Sequence, residues 1–265
     1  MGSRFRTIEV SEPLLEFHGL RWMTVKSGAL KGRGDITLFV PQNCQSQKNL
    51  PIVILLHGVY GSHWAWAMKG SAHLTAAEMI AAKEIPPVIL AMPSDGLWGD
   101  GSAYLAHSHA DFETWIMDDV VEAIRETIPQ AGAQSRVFIS GLSMGGYGAL
   151  RLGGKYASRL HGISAHSSIT HFAQMAQFAE EPISHYPSVP ESEKPALFWL
   201  LKNRGSLPPL RFDCGTEDDL IEPNRALHRQ LLEHGMRHEY AEFPGGHSWN
   251  YWRQHLRDTL RFFNY

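Results

Sequence analysis

The chain has 265 residues, 43% of them hydrophobic, which allows one large domain or two small ones around a sizeable core. Its net charge of −3, with no long run of one sign, argues against a nucleic-acid partner or a membrane-surface role. No apolar run approaches a membrane span, and no apolar stretch follows Arg4 and Arg6 as a signal peptide requires. Cys44 and Cys214 are expected as free, buried thiols in a reducing compartment, so the expected location is the cytoplasm.

In chain order, residues 1–19 carry Pro13 and read as an irregular or edge segment. Leu20–Val25 and Ile36–Val40 read as two strands of an edge hairpin, joined by the Gly- and Lys-rich Lys26–Gly34. Pro51–Leu56 (PIVILL) is a continuous apolar run, which fits a strand covered on both faces. Ser71–Lys83 reads as a helix with Ser71 as N-cap and Leu74, Ala77, Ile80 and Ala81 on its apolar face. Val88–Met92 is the next buried strand, followed by a long Gly-rich loop over Pro93–His109. Phe112, Trp115, Ile116, Val120, Ile124 and Ile128 recur at helical spacing within Asp111–Ile128.

Gly162–Ser167 is a further strand, and Ser168–Pro209 is irregular, with several prolines; a loop of that length reads as a lid or cap. Leu210–Cys214 and His238–Phe243 are strands flanking a helix over Pro223–His234, which has Pro in its first turn and Gly235 at its end. Trp249–Phe263 closes the chain as a helix. The alternation predicts a single α/β domain over 1–265: a mainly parallel sheet led by an antiparallel hairpin, with the lid inserted at about 168–209.

The chemistry centres on Arg136–Leu150, RVFISGLSMGGYGAL. An apolar strand, then Gly-Leu-Ser-Met-Gly, then a small-residue helix is the context of a nucleophile elbow, with Ser143 on a sharp turn. Such a turn exposes the Ser143 hydroxyl and aims the Met144 amide at the same place, beside a helix N-terminus that favours negative charge. A serine hydroxyl needs a base and an acid to become a strong nucleophile. His247, in the tight loop Pro244–His247 after the last strand, is the base candidate. Asp213, Glu217, Asp218 and Asp219 are acid candidates. Asp213 lies within its strand, whereas Asp218 and Asp219 lie in the loop beyond it. The order serine, acid, histidine matches the α/β-hydrolase order. The oxyanion of the reaction needs two amides. One is expected from Met144 and the other from Val59, in the loop after PIVILL, where Gly58 permits close approach; His57 is expected to be structural. Trp64, Trp66 and Trp98 are candidates for lining a substrate pocket. No histidine spacing matches a metal motif, and no glycine pattern matches a nucleotide loop, so neither metal nor cofactor is expected.

Taken together, LLHGVYGSHWAW at 55–66, GLSMGGYGAL at 141–150, CGTEDDLIEPN at 214–224 and FPGGHSWNYW at 243–252 resemble the putative-esterase (esterase D-like) branch of the α/β hydrolases. The pattern is closest to its tributyrin-esterase-like carboxylesterases. The resemblance implies the α/β-hydrolase fold with helices on both faces of the sheet. It places the acid on Asp218 and the oxyanion donors on Val59 and Met144. It implies a cofactor-independent serine carboxylesterase with Ser143, Asp218 and His247 as triad, acting on small, short-chain esters. S-formylglutathione hydrolases share the fold, but their elbow usually reads G-H-S-M-G-G-H, from which Leu142 and Tyr147 depart. Feruloyl and acetyl-sugar esters are further alternatives. The expected partner is a small ester rather than nucleic acid or membrane, with a homo-oligomer left open.

Overall fold

A computed structural model describes residues 3–42, 44–187, 189–263 and 265. Its frame is a nine-stranded sheet. In chain order the strands are β1 (Ile8–Val10), β2 (Leu20–Ser27), β3 (Gly32–Phe39), β4 (Ile52–Leu56), β5 (Ile89–Pro93), β6 (Val137–Leu142), β7 (Ile163–His166), β8 (Leu210–Gly215) and β9 (Glu239–Phe243). Across the sheet they run β1-β2-β3-β5-β4-β6-β7-β8-β9. Pairing is antiparallel from β1 to β5 and parallel from β5 to β9.

The continuous apolar runs become the central strands because both sheet faces are covered. In β4, Ile52, Ile54 and Leu56 enter one core while Val53 and Leu55 enter the other, the period of two expected of a strand. β6 divides the same way, with Val137 and Ile139 on one side and Phe138 and Leu142 on the other. One face carries α1 (Ala65–Met68), α2 (Ala72–Ala81) and α8 (Trp249–Phe262). The other carries α3 (Phe112–Thr114), which runs through a π-helical turn at Trp115–Val120 into α4 (Val121–Thr127), together with α5 (Met144–Lys155), α6 (Ala196–Lys202) and α7 (Ile221–Glu233). All six of the apolar positions read as helical in 111–128 are buried there.

Several expectations need correction. The hairpin is not the sheet edge, because β1 adds outside β2 in register Ile8↔Val25. Its turn is tighter than the composition suggests, since β2 and β3 pair out to Ser27↔Gly32. Ser71 occupies the N-cap position of α2 in a left-handed conformation and its side chain caps nothing there. The buried face of α2 is Ala72, His73, Thr75, Ala76 and Met79, while Leu74 and Ala77 face out. Ala72, Ala76 and Met79 are the α2 residues that join the apolar cluster on this face of the sheet. The irregular 168–209 stretch holds α6, packed on α5 across Gly154, where a side chain would meet the Trp199–Leu200 backbone. α7 starts two residues earlier than its proline suggested, leaving Pro223 in the first turn. Cys44 and Cys214 are free and buried. Among the described residues no helix is long and apolar enough to cross a membrane.

Candidate active site

The carboxyl ends of β4, β6, β8 and β9 carry the site. At the end of β6 the chain turns into α5 through Ser143, whose φ of 55° and ψ of −120° are strained for a residue with a side chain. The flanking glycines are forced. A Cβ on Gly141 would overlap the Gly145 carbonyl, and one on Gly145 would overlap the carbonyl groups of Leu56 and His57. The Ser143 amide donates to the His166 carbonyl (3.0 Å), and its own carbonyl accepts from the Ile169 amide (3.2 Å), so β7 and the loop after it hold the turn.

His247 arrives from the Pro244–His247 loop after β9. Its Nε2 lies 2.9 Å from Ser143 Oγ, and its Nδ1 lies 3.1 and 2.9 Å from the two carboxylate oxygens of Asp218. A third contact fixes the acid: the Leu220 amide donates to Asp218 Oδ1 (2.9 Å). Burial pushes the Asp218 carboxyl up, but the His247 ring and the Leu220 amide outweigh it and hold the group below its ordinary range. Asp218 therefore stays charged, as an acid that balances an imidazolium must. Of the other acid candidates, Asp219 and Glu217 are exposed, and Asp213 is committed elsewhere.

The imidazole is held between rings. Phe178 stacks on it with centroids 5.4 Å apart and planes at 19°, and Trp252 meets it edge-on at 5.0 Å and 89°. Sequence reasoning singled out neither. Trp252 lies in the last motif with the base, but Phe178 sits in the irregular 168–209 stretch, where no pattern marks it.

The loop after β4 closes over the elbow. Gly58 lies against it, so that a Cβ there would sit 3.3 Å from the Ser143 Cβ. Val59 follows Gly58 in that loop. Among the described residues neither the Val59 nor the Met144 amide donates to a protein acceptor. An oxyanion hole needs two amides left free in this way. His57 is structural: its Nδ1 bonds the Gly58 carbonyl (2.7 Å) and its Nε2 accepts from the Asp95 amide (3.0 Å).

The tryptophan expectations fare differently. Trp66 is a core residue rather than a pocket wall: it is fully buried, its Nε1 donates to the Leu56 carbonyl (2.9 Å), and its ring packs on Trp249. Its neighbour Trp64, at the start of α1, is exposed, whereas Trp98 packs edge-on against His107 and Tyr186. None of their ring partners is a triad residue. His107 bonds the Ser102 carbonyl (3.0 Å) beside the ring of His109, and His161, His166 and His171 disperse to separate partners.

A second histidine–aspartate pair lies below the first. His166 Nδ1 is 2.9 Å from Asp213 Oδ2, and its Nε2 is 2.9 Å from Thr259 Oγ1. Arg211 (2.5 Å) and the Tyr251 hydroxyl (2.9 Å) also donate to Asp213. Burial pushes the Asp213 carboxyl up, but His166, Arg211 and Tyr251 hold it down at about 2.

Residues 27–263 match the model of a family described as putative esterase. The chain is 29% identical over 231 residues to an acetyl esterase from Caldicellulosiruptor saccharolyticus, covering 80% of this chain and 83% of that one. Among solved structures it superposes on an S-formylglutathione hydrolase from Staphylococcus aureus with a TM-score of 0.79 and 19% identity, over 92% of this chain and 98% of that one. A ferulic acid esterase gives the same TM-score at 21% identity, over 96% and 97%. At that identity the two structures establish the α/β-hydrolase fold.

Proposed function

This chain belongs to the putative esterase family and is a carboxylic ester hydrolase, and from that premise we propose that it cleaves small, short-chain esters with Ser143, His247 and Asp218 as its triad. The observation that carries the reading is the unbroken line from the Asp218 carboxylate through the His247 ring to the Ser143 hydroxyl, at 2.9 Å on each side of the ring.

The steps follow from that line. Ser143 Oγ attacks the ester carbonyl carbon and passes its proton to His247 Nε2. The carbonyl oxygen becomes an oxyanion, and the Val59 and Met144 amides stabilise it. Collapse of this intermediate breaks the bond to the alcohol oxygen, which takes the proton from His247. The acyl group now sits on Ser143. Water enters, gives a proton to the same nitrogen and attacks the acyl carbon; His247 then returns the proton to Ser143 as the acid leaves. Asp218 keeps the imidazole in the needed tautomer and balances its charge in both halves.

The acetyl esterase relative supports a short acyl group. The partner is a small neutral ester, and a cytoplasmic location is supported by the two free thiols. Rates on p-nitrophenyl esters from acetyl to octanoyl test the reading, with Ser143→Ala as control. A rate that falls with acyl length and vanishes in the variant is expected; equal rates for wild type and variant would refute it. S-formylglutathione and feruloyl methyl ester belong in the same panel, because faster turnover of either than of acetate would reassign the substrate.

A further inference from the structure

The triad is nearly closed off. Ser143 is 2% exposed, and the His247 side chain 24%. One side of the imidazole is covered from the stretch immediately after the 3-10 turns at Phe172–Gln177, residues 178–181. Phe178 lies face to face on the His247 ring. Three hydrogen bonds anchor the stretch, and a fourth joins its two anchors. The Tyr60 hydroxyl donates to the Phe178 carbonyl (2.6 Å). The Glu180 amide donates to Asp100 Oδ2 (2.6 Å), and the Asp100 amide donates to Glu181 Oε2 (3.0 Å). The Asp100 carbonyl in turn accepts from the Tyr60 amide (2.8 Å). Three distant segments, around residues 60, 100 and 180, are thus tied into one clasp, and Tyr60 is the neighbour of the oxyanion donor Val59.

The direction of the chemistry decides what this clasp borders. His247 Nε2 hands its proton to the departing alcohol oxygen, so in the transition state the alcohol must lie alongside the imidazole. The acyl carbon and its oxyanion lie instead toward Val59 and Met144. A ring stacked on the imidazole is therefore placed to border the departing alcohol. We propose that Phe178, held by the Tyr60–Asp100 clasp, is the residue that sets which alcohols the enzyme accepts. This inference rests on the triad reading above and adds to it a specificity wall on the leaving-group side.

The kinetics separate the two sides. Every acetate ester gives the same acetyl-Ser143, so a ratio of kcat/KM between two acetates reports only formation of that intermediate. With the ring gone, the bulky alcohol gains room. Phe178→Ala is expected to raise the cyclohexyl acetate to ethyl acetate ratio by about tenfold, the scale of a reshaped apolar pocket. The p-nitrophenyl butyrate to acetate ratio should move by less than about twofold in the same protein. Phe178→Leu should fall between wild type and alanine, and Tyr60→Phe, which removes the hydroxyl that donates to the Phe178 carbonyl, should shift the alcohol ratio the same way by less. A uniform loss on all four esters would make Phe178 merely structural and overturn the proposal. So would a shift in the acyl ratio with the alcohol ratio fixed. A wild type active on esters with an unshifted alcohol ratio in all three variants refutes this inference alone, whereas a wild type inert on every ester overturns the triad reading along with it.

Discussion

Asp218 with His247 and Asp213 with His166 use the same side chains, and their geometry is nearly the same. In both, a carboxylate oxygen lies 2.9 Å from Nδ1 of the ring, and a hydroxyl lies 2.9 Å from Nε2. The hydroxyls are Ser143 in one and Thr259 in the other. The surroundings differ. Asp213 already has the Arg211 guanidinium and the Tyr251 hydroxyl on it, so its charge is spent before any proton moves. Thr259 Oγ1 is 2.6 Å from Ser164 Oγ and lies buried inside α8, with no strained turn to present it. Ser143 has such a turn. The same three-side-chain arrangement thus occurs twice in the chain; a strained turn under the hydroxyl and a carboxylate with no guanidinium on it set apart the copy proposed as the active site.

Exchanging each aspartate for its amide tests that contrast most strongly. Asp218→Asn should lower kcat by about 10⁴-fold while the fold survives, because the amide favours the wrong tautomer of the base. Steady-state kinetics on p-nitrophenyl acetate, with thermal unfolding as a check, measure it. Asp213→Asn should do the reverse. It leaves Arg211 buried without its counter-ion, which costs about 3–5 kcal/mol of stability, while turnover per folded molecule is kept within about tenfold. Denaturant unfolding beside active-site titration separates the two quantities.

The pH dependence sharpens the second case. The folded Asp213 titrates at about 2, below the unfolded value of about 3.9. Its stabilising contribution is therefore present above about pH 4 and is lost as pH falls through about 2. Wild type should exceed Asp213→Asn in stability by a constant margin near neutrality, and the margin should shrink on acidification below about pH 4. A margin independent of pH down to about 2 would remove the charge from the explanation.

The smallest effect belongs to the pseudo-nucleophile. Thr259→Val removes the hydroxyl facing His166 Nε2 and should cost about 1–3 kcal/mol for the buried nitrogen left unpaired. Ester hydrolysis should stay at the wild-type level, measured as kcat/KM on p-nitrophenyl acetate. Activity lost in step with that of a Ser143 variant would mean that the second hydroxyl takes part.

The site was legible where local backbone demands fix the residue type. Ser143 was marked by Gly141 and Gly145, since only glycine avoids the carbonyl groups packed there, and His247 by its place in a glycine loop after the last strand. The sheet was legible for a similar reason: the run Ile52–Leu56 is apolar throughout because it feeds two cores. The choice between Asp218 and Asp219 was harder. Both lie in the loop beyond one strand, and what separates them is tertiary packing: Asp218 is buried against the Leu220 amide and the His247 ring, whereas Asp219 is exposed. Trp66 misled because an indole on a loop near the site can plug the core instead. Phe178 was invisible, as its role comes from the Tyr60 and Asp100 contacts, which no spacing encodes. The α2 face was misassigned for a related reason: which side of the helix meets the apolar cluster, Ala72, Ala76 and Met79 rather than Leu74, is set by tertiary packing.

The most direct test of the central claim is covalent. The folded protein is treated with a fluorophosphonate, and the adduct is located by peptide mass spectrometry in wild type and in His247→Ala. The account predicts one adduct per chain, on Ser143, formed at least about 10³-fold more slowly without the histidine. Labelling at another serine, or at Ser143 with the same rate in both proteins, would contradict it.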